Sequence, residues 1–178
     1  MATVAEYYES AAAQEFAQAV AGAGEDVLNQ PEFTATYQIG GAAGGTYGLR
    51  IVQGQLEIVP GGIPASDMQI VANVGEWQQG AQAGFANPFY YYQKRKVSLI
   101  KSFKGRVNLD LADENGGSLE GAIIFGNTED PALTVRMAAD DYLAMMSGKL
   151  NGQMAFMTGK LKFDGSLPLL MQLAALNS

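Results

Sequence analysis

The chain contains neither cysteine nor histidine. Without cysteine there is no disulfide framework and no nucleophilic thiol, and without histidine there is no His-based triad, no His general base and no Cys/His zinc site. Catalysis would have to use carboxylates, lysine, tyrosine or an activated serine. The adjacent acidic pairs at 113–114, 129–130 and 140–141 are better explained as turn and helix-cap residues. The sequence therefore predicts a protein that is not an enzyme and that uses no metal and no cofactor.

Long hydrophobic runs are missing as well. No window approaches the ~18–20 apolar residues of a membrane span, and the first residues, MATVAEYYES, have neither the basic region nor the apolar region of a secretory signal. Together with the lack of cysteine, these features favour the cytoplasm. The 178 residues, 48% of them hydrophobic, suit one domain of ordinary size with a packed core, or two very small domains.

Basic residues are scarce in the first half of the chain. Arg50 is the only one before Gln93, whereas six of the 11 lysines and arginines fall between Lys94 and Arg106. The net charge is −7. Because nucleic-acid binding depends on neutralising phosphates, this balance predicts no nucleic-acid partner.

The first half of the chain has the patterning of a helix followed by strands. Residues 2–22 carry apolar side chains at helical spacing and predict an amphipathic helix packed on a sheet. Three segments then alternate apolar and polar residues between glycine-containing turns, which predicts an antiparallel meander: 33–39, 47–51 and 56–58. A further strand over Met68–Ala72 leads into a helix over Val74–Ala83.

The second half of the chain repeats the pattern of the first half faintly and in the same order. Residues 33–54 align without gaps on residues 105–126, with Ile51 on Ile123, and the sequence IVANVGEW aligns on VRMAADDY, with Trp77 on Tyr142. Identity is low, so the match has two explanations: a duplication, or strand chemistry that any two meanders share. The chain is accordingly either a single enlarged domain over 1–178 or two pseudo-units over 1–89 and 90–178.

An aromatic segment, FANPFYYYQKRK, joins the two halves and ends in Lys94, Arg95 and Lys96. One interpretation is a connecting helix with its rings in the core. Another is transient contact with a membrane surface through Phe89–Lys96, because aromatic rings and cations suit the headgroup region. Stacking on single-stranded nucleic acid is the third, and the net charge argues against it.

The C-terminal stretch from Asp140 to Leu176 contains clear signals for the ends of its helices and strand. Its pattern predicts a helix, a short helix capped by Asn151, a strand and a last helix capped by Ser166, with glycines at the ends of the first two helices. The last helix is apolar almost all round, with Gln172 as its one strongly polar side chain. Such a helix must be covered by core, partner, lipid or ligand.

The run GKLNGQMAFMTGKLKFDGSLPLLMQL in this stretch resembles the C-terminal signature of the sterol carrier protein type 2 domain family. The shared features are Gly-Lys-Leu at Gly148–Leu150, Ala-Phe-x-x-Gly-Lys-Leu at Ala155–Leu161, Gly165, and an apolar terminal helix. Gly152 departs from the proline that is usual in the family, which bears on helix stability more than on function. The detailed match covers roughly the last quarter of the chain.

The resemblance implies an α+β fold with a mostly antiparallel twisted sheet flanked by helices, and an apolar cavity between sheet and helices that the last helix partly closes. It implies non-catalytic binding or transfer of a lipid, sterol, fatty-acyl or other elongated apolar ligand. The alternative is a structural, dimerisation or enzyme-accessory module without a carried ligand, in which the last helix buries against a second copy. By this resemblance the cavity is lined by Trp77, Phe89, Ile123, Phe125, Leu143, Met146, Met154, Phe156, Met157, Leu169, Leu170 and Leu173.

Overall fold

The computed structural model describes residues 3–79 and 87–176. The helices are α1 (Val4–Glu6), α2 (Ala12–Val20), α3 (Glu25–Leu28), α4 (Val74–Gln79), α5 (Pro88–Gln93), α6 (Val97–Lys101), α7 (Ala139–Met146), α8 (Gly152–Met157) and α9 (Leu167–Leu176), and a π-helical turn at Tyr7–Ala11 joins α1 to α2. The strands are β1 (Phe33–Gly40), β2 (Gly45–Val52), β3 (Gln55–Pro60), β4 (Met68–Asn73), β5 (Gly105–Ala112), β6 (Ser118–Phe125), β7 (Ala132–Ala138) and β8 (Leu161–Gly165). None of the helices within these residues is both long and apolar enough to cross a membrane.

All eight strands form one mixed sheet in the order β3-β2-β1-β4-β6-β5-β7-β8. Five of the seven strand pairings are antiparallel, and the pairings of β1 with β4 and of β5 with β7 are parallel. The predicted meander of β1, β2 and β3 is confirmed, and so is the α+β fold class. The predicted helix over Val74–Ala83 is present up to Gln79, and its last residues lie outside the described part of the chain.

The two halves of the sheet have the same local topology. Each consists of an antiparallel hairpin, a strand parallel to the first strand of that hairpin, and a helix: β1, β2, β4 and α4 in one half, β5, β6, β7 and α7 in the other. Ala35 pairs with Met68 as Val107 pairs with Leu133. In this register Trp77 and Tyr142 occupy equivalent places, and both are buried. Duplication stays one of the two explanations for the repeat, beside shared strand chemistry.

The gapless alignment of the two hairpins is wrong by two residues. Ala35 pairs with Leu49, whereas the equivalent Val107 pairs with Ile123. Ile123 therefore corresponds to Leu49 and not to Ile51. The physical reason is the length of the connection, since residues 40–44 link the paired ends of the first hairpin and residues 112–118 link the equivalent positions of the second.

The aromatic joining segment lies in the core. Asn87 caps α5 by accepting hydrogen bonds from the backbone N–H groups of Phe89 and Tyr90, at 3.1 and 3.3 Å. The rings of Phe89, Tyr91 and Tyr92 are buried. These three rings are therefore not available for the expected contact with a membrane surface. Phe85 lies outside the described residues.

A glycine substitution at the end of β8 should destabilise the fold. Gly165 has φ +107°, and a Cβ there would collide with the backbone carbonyl of Ala132. We expect Gly165→Ala to lower the free energy of unfolding by about 2–4 kcal/mol, as measured by urea denaturation. Gly117→Ala is the control, because no atom lies within 4 Å of a Cβ at that position. Equal stability of the two variants would contradict this account of Gly165.

Candidate ligand-binding site

The C-terminal stretch has the helix caps and helix ends that its sequence predicts. The Asn151 side chain accepts hydrogen bonds from the backbone N–H groups of Gln153 and Met154, at 2.8 and 3.2 Å. Gly148 and Gly159 both have φ +78° and follow the ends of α7 and α8. The Ser166 hydroxyl accepts from the backbone N–H of Leu169 at 3.1 Å. The predicted order of helix, short helix, strand and final helix is confirmed.

Helix α9 lies on the inner face of the sheet, which is the face whose side chains belong to the hydrophobic core. Its buried side is formed by four leucines: Leu169, Leu170, Leu173 and Leu176. The helix packs near β7, and a Cβ at Gly105 of β5 would lie 3.0 Å from Leu169. At the other end of α9, the Lys96 ammonium donates to the carbonyl oxygen of Ala175 at 3.3 Å. A cation is favourable there because the C-terminus of a helix carries partial negative charge.

The twelve residues that the family resemblance assigns to the cavity fall into two groups. Eight are buried and belong to one hydrophobic core: Trp77, Phe89, Ile123, Phe125, Met146, Leu169, Leu170 and Leu173. Four are exposed at 38, 52, 49 and 77%: Leu143, Met154, Phe156 and Met157. The structure therefore does not bring all twelve together around one space.

Two of the buried residues have their ring contacts in the N-terminal half. The Trp77 indole N–H donates to the Tyr8 hydroxyl at 3.3 Å, and the Trp77 ring lies 5.8 Å from that of Tyr7. The Phe89 ring lies 5.4 Å from that of Phe16 in α2. These two side chains tie α4 and α5 to the N-terminal helices.

The other six buried residues lie on β6, α7 and α9, all in the C-terminal half. Met146 packs under α5, where the Tyr91 hydroxyl lies 3.8 Å from its sulfur atom. The Phe125 ring makes an edge contact with Phe103 at 5.3 Å. Several buried neighbours were missed by the assignment: Tyr91, Tyr142, Met145, Leu161 and Leu176. Tyr142, Met145 and Met146 have the i, i+3, i+4 spacing of one helix face, so the periodicity contained a signal for them.

The interior of the site is apolar and uncharged. The buried polar residues of the described chain are Thr36 and Ser66, so no lysine, arginine or carboxylate is buried there. No group of three or more acidic residues in that part of the chain could hold a metal ion. Burial raises the pKa values of the Tyr91 and Tyr142 phenols well above their usual range, and both stay neutral at physiological pH. Such an interior suits an apolar ligand.

Buried phenols also predict loss of stability at high pH. Burial raises the pKa of Tyr8, Tyr37, Tyr91 and Tyr142 above the ordinary value of 10.0. Because the folded state holds these protons more tightly, their contribution to stability is present below pH 10 and is lost as the pH rises from there towards the folded-state values. We expect cooperative alkaline unfolding, with phenolate absorbance appearing together with the loss of circular dichroism. Ionisation of these phenols in a folded protein would contradict this prediction.

A depression lies on the opposite face of the sheet. Its volume is about 610 Å³, and its polar lining includes Gln38, Asn73, Asn108, Asp110 and Glu120. Arg106 also lines it, but its guanidinium is already bonded to Asn108 and Glu129. No buried side-chain nitrogen or oxygen in the described residues lacks a hydrogen-bond partner. This depression does not include any of the twelve predicted residues.

Known proteins are similar to part of the chain. The model of the SCP-2 sterol transfer family matches residues 92–178, which confirms the resemblance. Hydroxysteroid dehydrogenase-like protein 2 of Bos taurus is 36% identical over 106 residues, which are 54% of this chain and 25% of that protein. Sterol carrier protein 2 of Homo sapiens is 40% identical over 85 residues, 44% of this chain and 15% of that protein. The chain thus spans a quarter or less of the length of these curated relatives.

A solved structure is similar as well. The solution structure of the sterol carrier protein domain 2 of Helicoverpa armigera is 28% identical, with a TM-score of 0.37, over 44% of this chain and 70% of its own.

Proposed function

Residues 92–178 belong to the SCP-2 sterol transfer family, and from this premise we propose that the protein binds and transfers a lipid or another elongated apolar molecule without changing it chemically. The ligand class extends to sterols and fatty-acyl chains. The main support from the structure is α9, a helix whose buried leucines cover the inner face of the sheet while its outward side is also largely apolar.

The proposed binding region lies between α9, α7 and the inner face of β6. In the structure its side chains pack against one another as core, so uptake of a ligand requires α9 to separate from the sheet. The ligand then replaces the contacts that the leucines make, and gains about 25 cal/mol for each Å² of its apolar surface that leaves water. We assign the inner wall to Ile123, Phe125 and Met146 and the moving lid to Leu169, Leu170 and Leu173.

The remaining predicted residues have different places in this proposal. The four exposed residues lie on α7 and α8: Leu143, Met154, Phe156 and Met157. We place the opening for ligand uptake beside them, so that they contact the ligand as it enters. Methionine suits this task because its flexible, polarisable side chain adapts to ligands of varied shape. Trp77 and Phe89 extend the apolar interior towards the N-terminal helices.

Hydrogen exchange tests the lid. The backbone amides of residues 166–176 should exchange more slowly when a fatty-acid or sterol ligand is saturating, because a bound ligand restrains α9. The amides of α2 are the internal control and should not change. If α9 exchanges equally fast with and without ligand, its role as a lid is wrong.

Native mass spectrometry tests whether the protein carries a lipid. The purified protein should retain a lipid whose mass identifies its class. A protein that retains none, and that forms a stable dimer dissociated by polar substitution of Leu170 and Leu173, would favour the alternative of a structural or enzyme-accessory module. That alternative has some support, because the curated relatives are much longer than this chain. The cytoplasmic location stays a prediction.

A further inference from the structure

An apolar surface lies uncovered on the outward sides of α8 and α9. It consists of five exposed side chains, named here the α8–α9 face: Met154, Phe156, Met157, Leu167 and Met171, the last two exposed at 50 and 62%. The two helices adjoin, because a Cβ at Gly152 of α8 would lie 3.3 Å from the Cβ of Ala174 in α9. Contiguous apolar surface on a protein is commonly an interaction site.

The charged residues that flank α8 in the sequence are lysines, and Asp164, which precedes α9, is already paired with Arg136. Neither α8 nor α9 contains a charged residue, and Lys149 and Lys160 lie three residues before and three residues after α8, both exposed. Neither forms an ion pair within the described residues. Five other basic residues of the chain do pair with carboxylates: Arg50, Arg95, Lys101, Arg106 and Arg136. Two uncompensated cations thus bracket an apolar helix in a protein whose net charge is −7.

We propose that the α8–α9 face docks on the surface of an anionic phospholipid membrane. The methionine, leucine and phenylalanine side chains enter the boundary between headgroups and acyl chains, and the two lysines extend to the anionic headgroups. A second copy of the chain fits this face less well. A two-fold interface centred on it would bring the lysines of both copies together, and like charges in contact oppose association.

Vesicle co-sedimentation tests the electrostatic part of the proposal. The wild-type protein should bind vesicles of phosphatidylcholine and phosphatidylserine more tightly than vesicles of phosphatidylcholine alone, and added salt should weaken the difference. The double variant Lys149→Gln/Lys160→Gln should bind the anionic vesicles about 25-fold more weakly, since each lysine near such a surface contributes roughly 5-fold. The control Arg50→Gln/Lys101→Gln makes the same change in net charge elsewhere and should keep wild-type binding within about 2-fold.

The apolar part has its own variant. Met157→Gln/Met171→Gln should weaken binding to both kinds of vesicle and should leave the urea midpoint unchanged, because both side chains are exposed. Three results would overturn the proposal: no binding of the wild-type protein to anionic vesicles, equal binding of the lysine variant and the wild type, or a dimer in sedimentation equilibrium that Met157→Gln dissociates.

Docking and carriage are tested separately. The Lys149→Gln/Lys160→Gln variant should still retain lipid in native mass spectrometry, because neither lysine lies in the proposed binding region. If the wild-type protein binds vesicles but retains no lipid, the proposal that it carries a lipid is wrong and the proposal of membrane docking is supported. Retained lipid without vesicle binding would reject docking alone.

Discussion

Replacing Tyr142 by alanine should lower the free energy of unfolding of the entire molecule by about 3–5 kcal/mol. Tyr142 is fully buried on α7, and removal of a large buried aromatic ring leaves a cavity that its neighbours fill only in part. Because small domains are stable by only about 5–15 kcal/mol, this change is large. The sheet is continuous from one half to the other through the pairing of β4 with β6. We therefore expect both halves to unfold together.

The single tryptophan allows a direct measurement. Trp77 occupies the place in the first half that Tyr142 occupies in the second, and it is the only tryptophan in the chain. In the Tyr142→Ala variant, Trp77 fluorescence and circular dichroism should report the same lowered urea midpoint. Leu143→Ala is the control on the same helix, and we expect it to cost less than about 1 kcal/mol, since Leu143 is partly exposed.

The two-unit alternative makes a different prediction for this variant. If residues 1–89 and 90–178 were independent units, Trp77 fluorescence would keep its wild-type midpoint while part of the circular dichroism signal was lost earlier. That outcome would reject the single enlarged domain.

Replacing Leu173 by aspartate should detach α9 from the sheet. Leu173 is 1% exposed, so the change removes a buried leucine and places a carboxyl group in an apolar site. We expect a loss of at least about 4 kcal/mol of stability in urea denaturation, fast hydrogen exchange of α9, and no retained lipid in native mass spectrometry.

Met171→Asp is the matched control, because it introduces the same charge two residues away on the same helix. Met171 faces outward, so its replacement should change stability by only about 0.5 kcal/mol, although it should weaken vesicle docking. If both variants are equally stable, the assignment of the inward and outward sides of α9 is wrong.

The elements of the C-terminal half were predictable because their boundaries are set by local chemistry. The Asn151 and Ser166 caps, and the left-handed glycines at 148 and 159, depend on neighbours within a few residues. The signature of the family is made of the same positions. Local structure and the family resemblance could therefore both be inferred from one run of sequence.

Packing decided what that sequence left open. The joining segment had three interpretations, and the burial of Phe89, Tyr91 and Tyr92 favours the connecting helix. The repeat alignment placed Trp77 correctly on Tyr142 but shifted the second strand of the hairpin by two residues, because a longer connection changes register without changing the alternation of apolar residues. The parallel pairings of β1 with β4 and β5 with β7 were not predicted either, since alternation is the same in both orientations.

The amino-acid sequence by itself determined the type and order of most elements, the lack of His- and Cys-based chemistry, and an all-round apolar last helix. These follow from composition and from spacing along the chain. Only the tertiary structure decided which side of that helix is covered. Leu170 and Met171 are adjacent and both apolar, yet one lies in the core and the other in solvent. The difference arises because an apolar helix has no polar side to orient it, and contact with the sheet chooses its rotation.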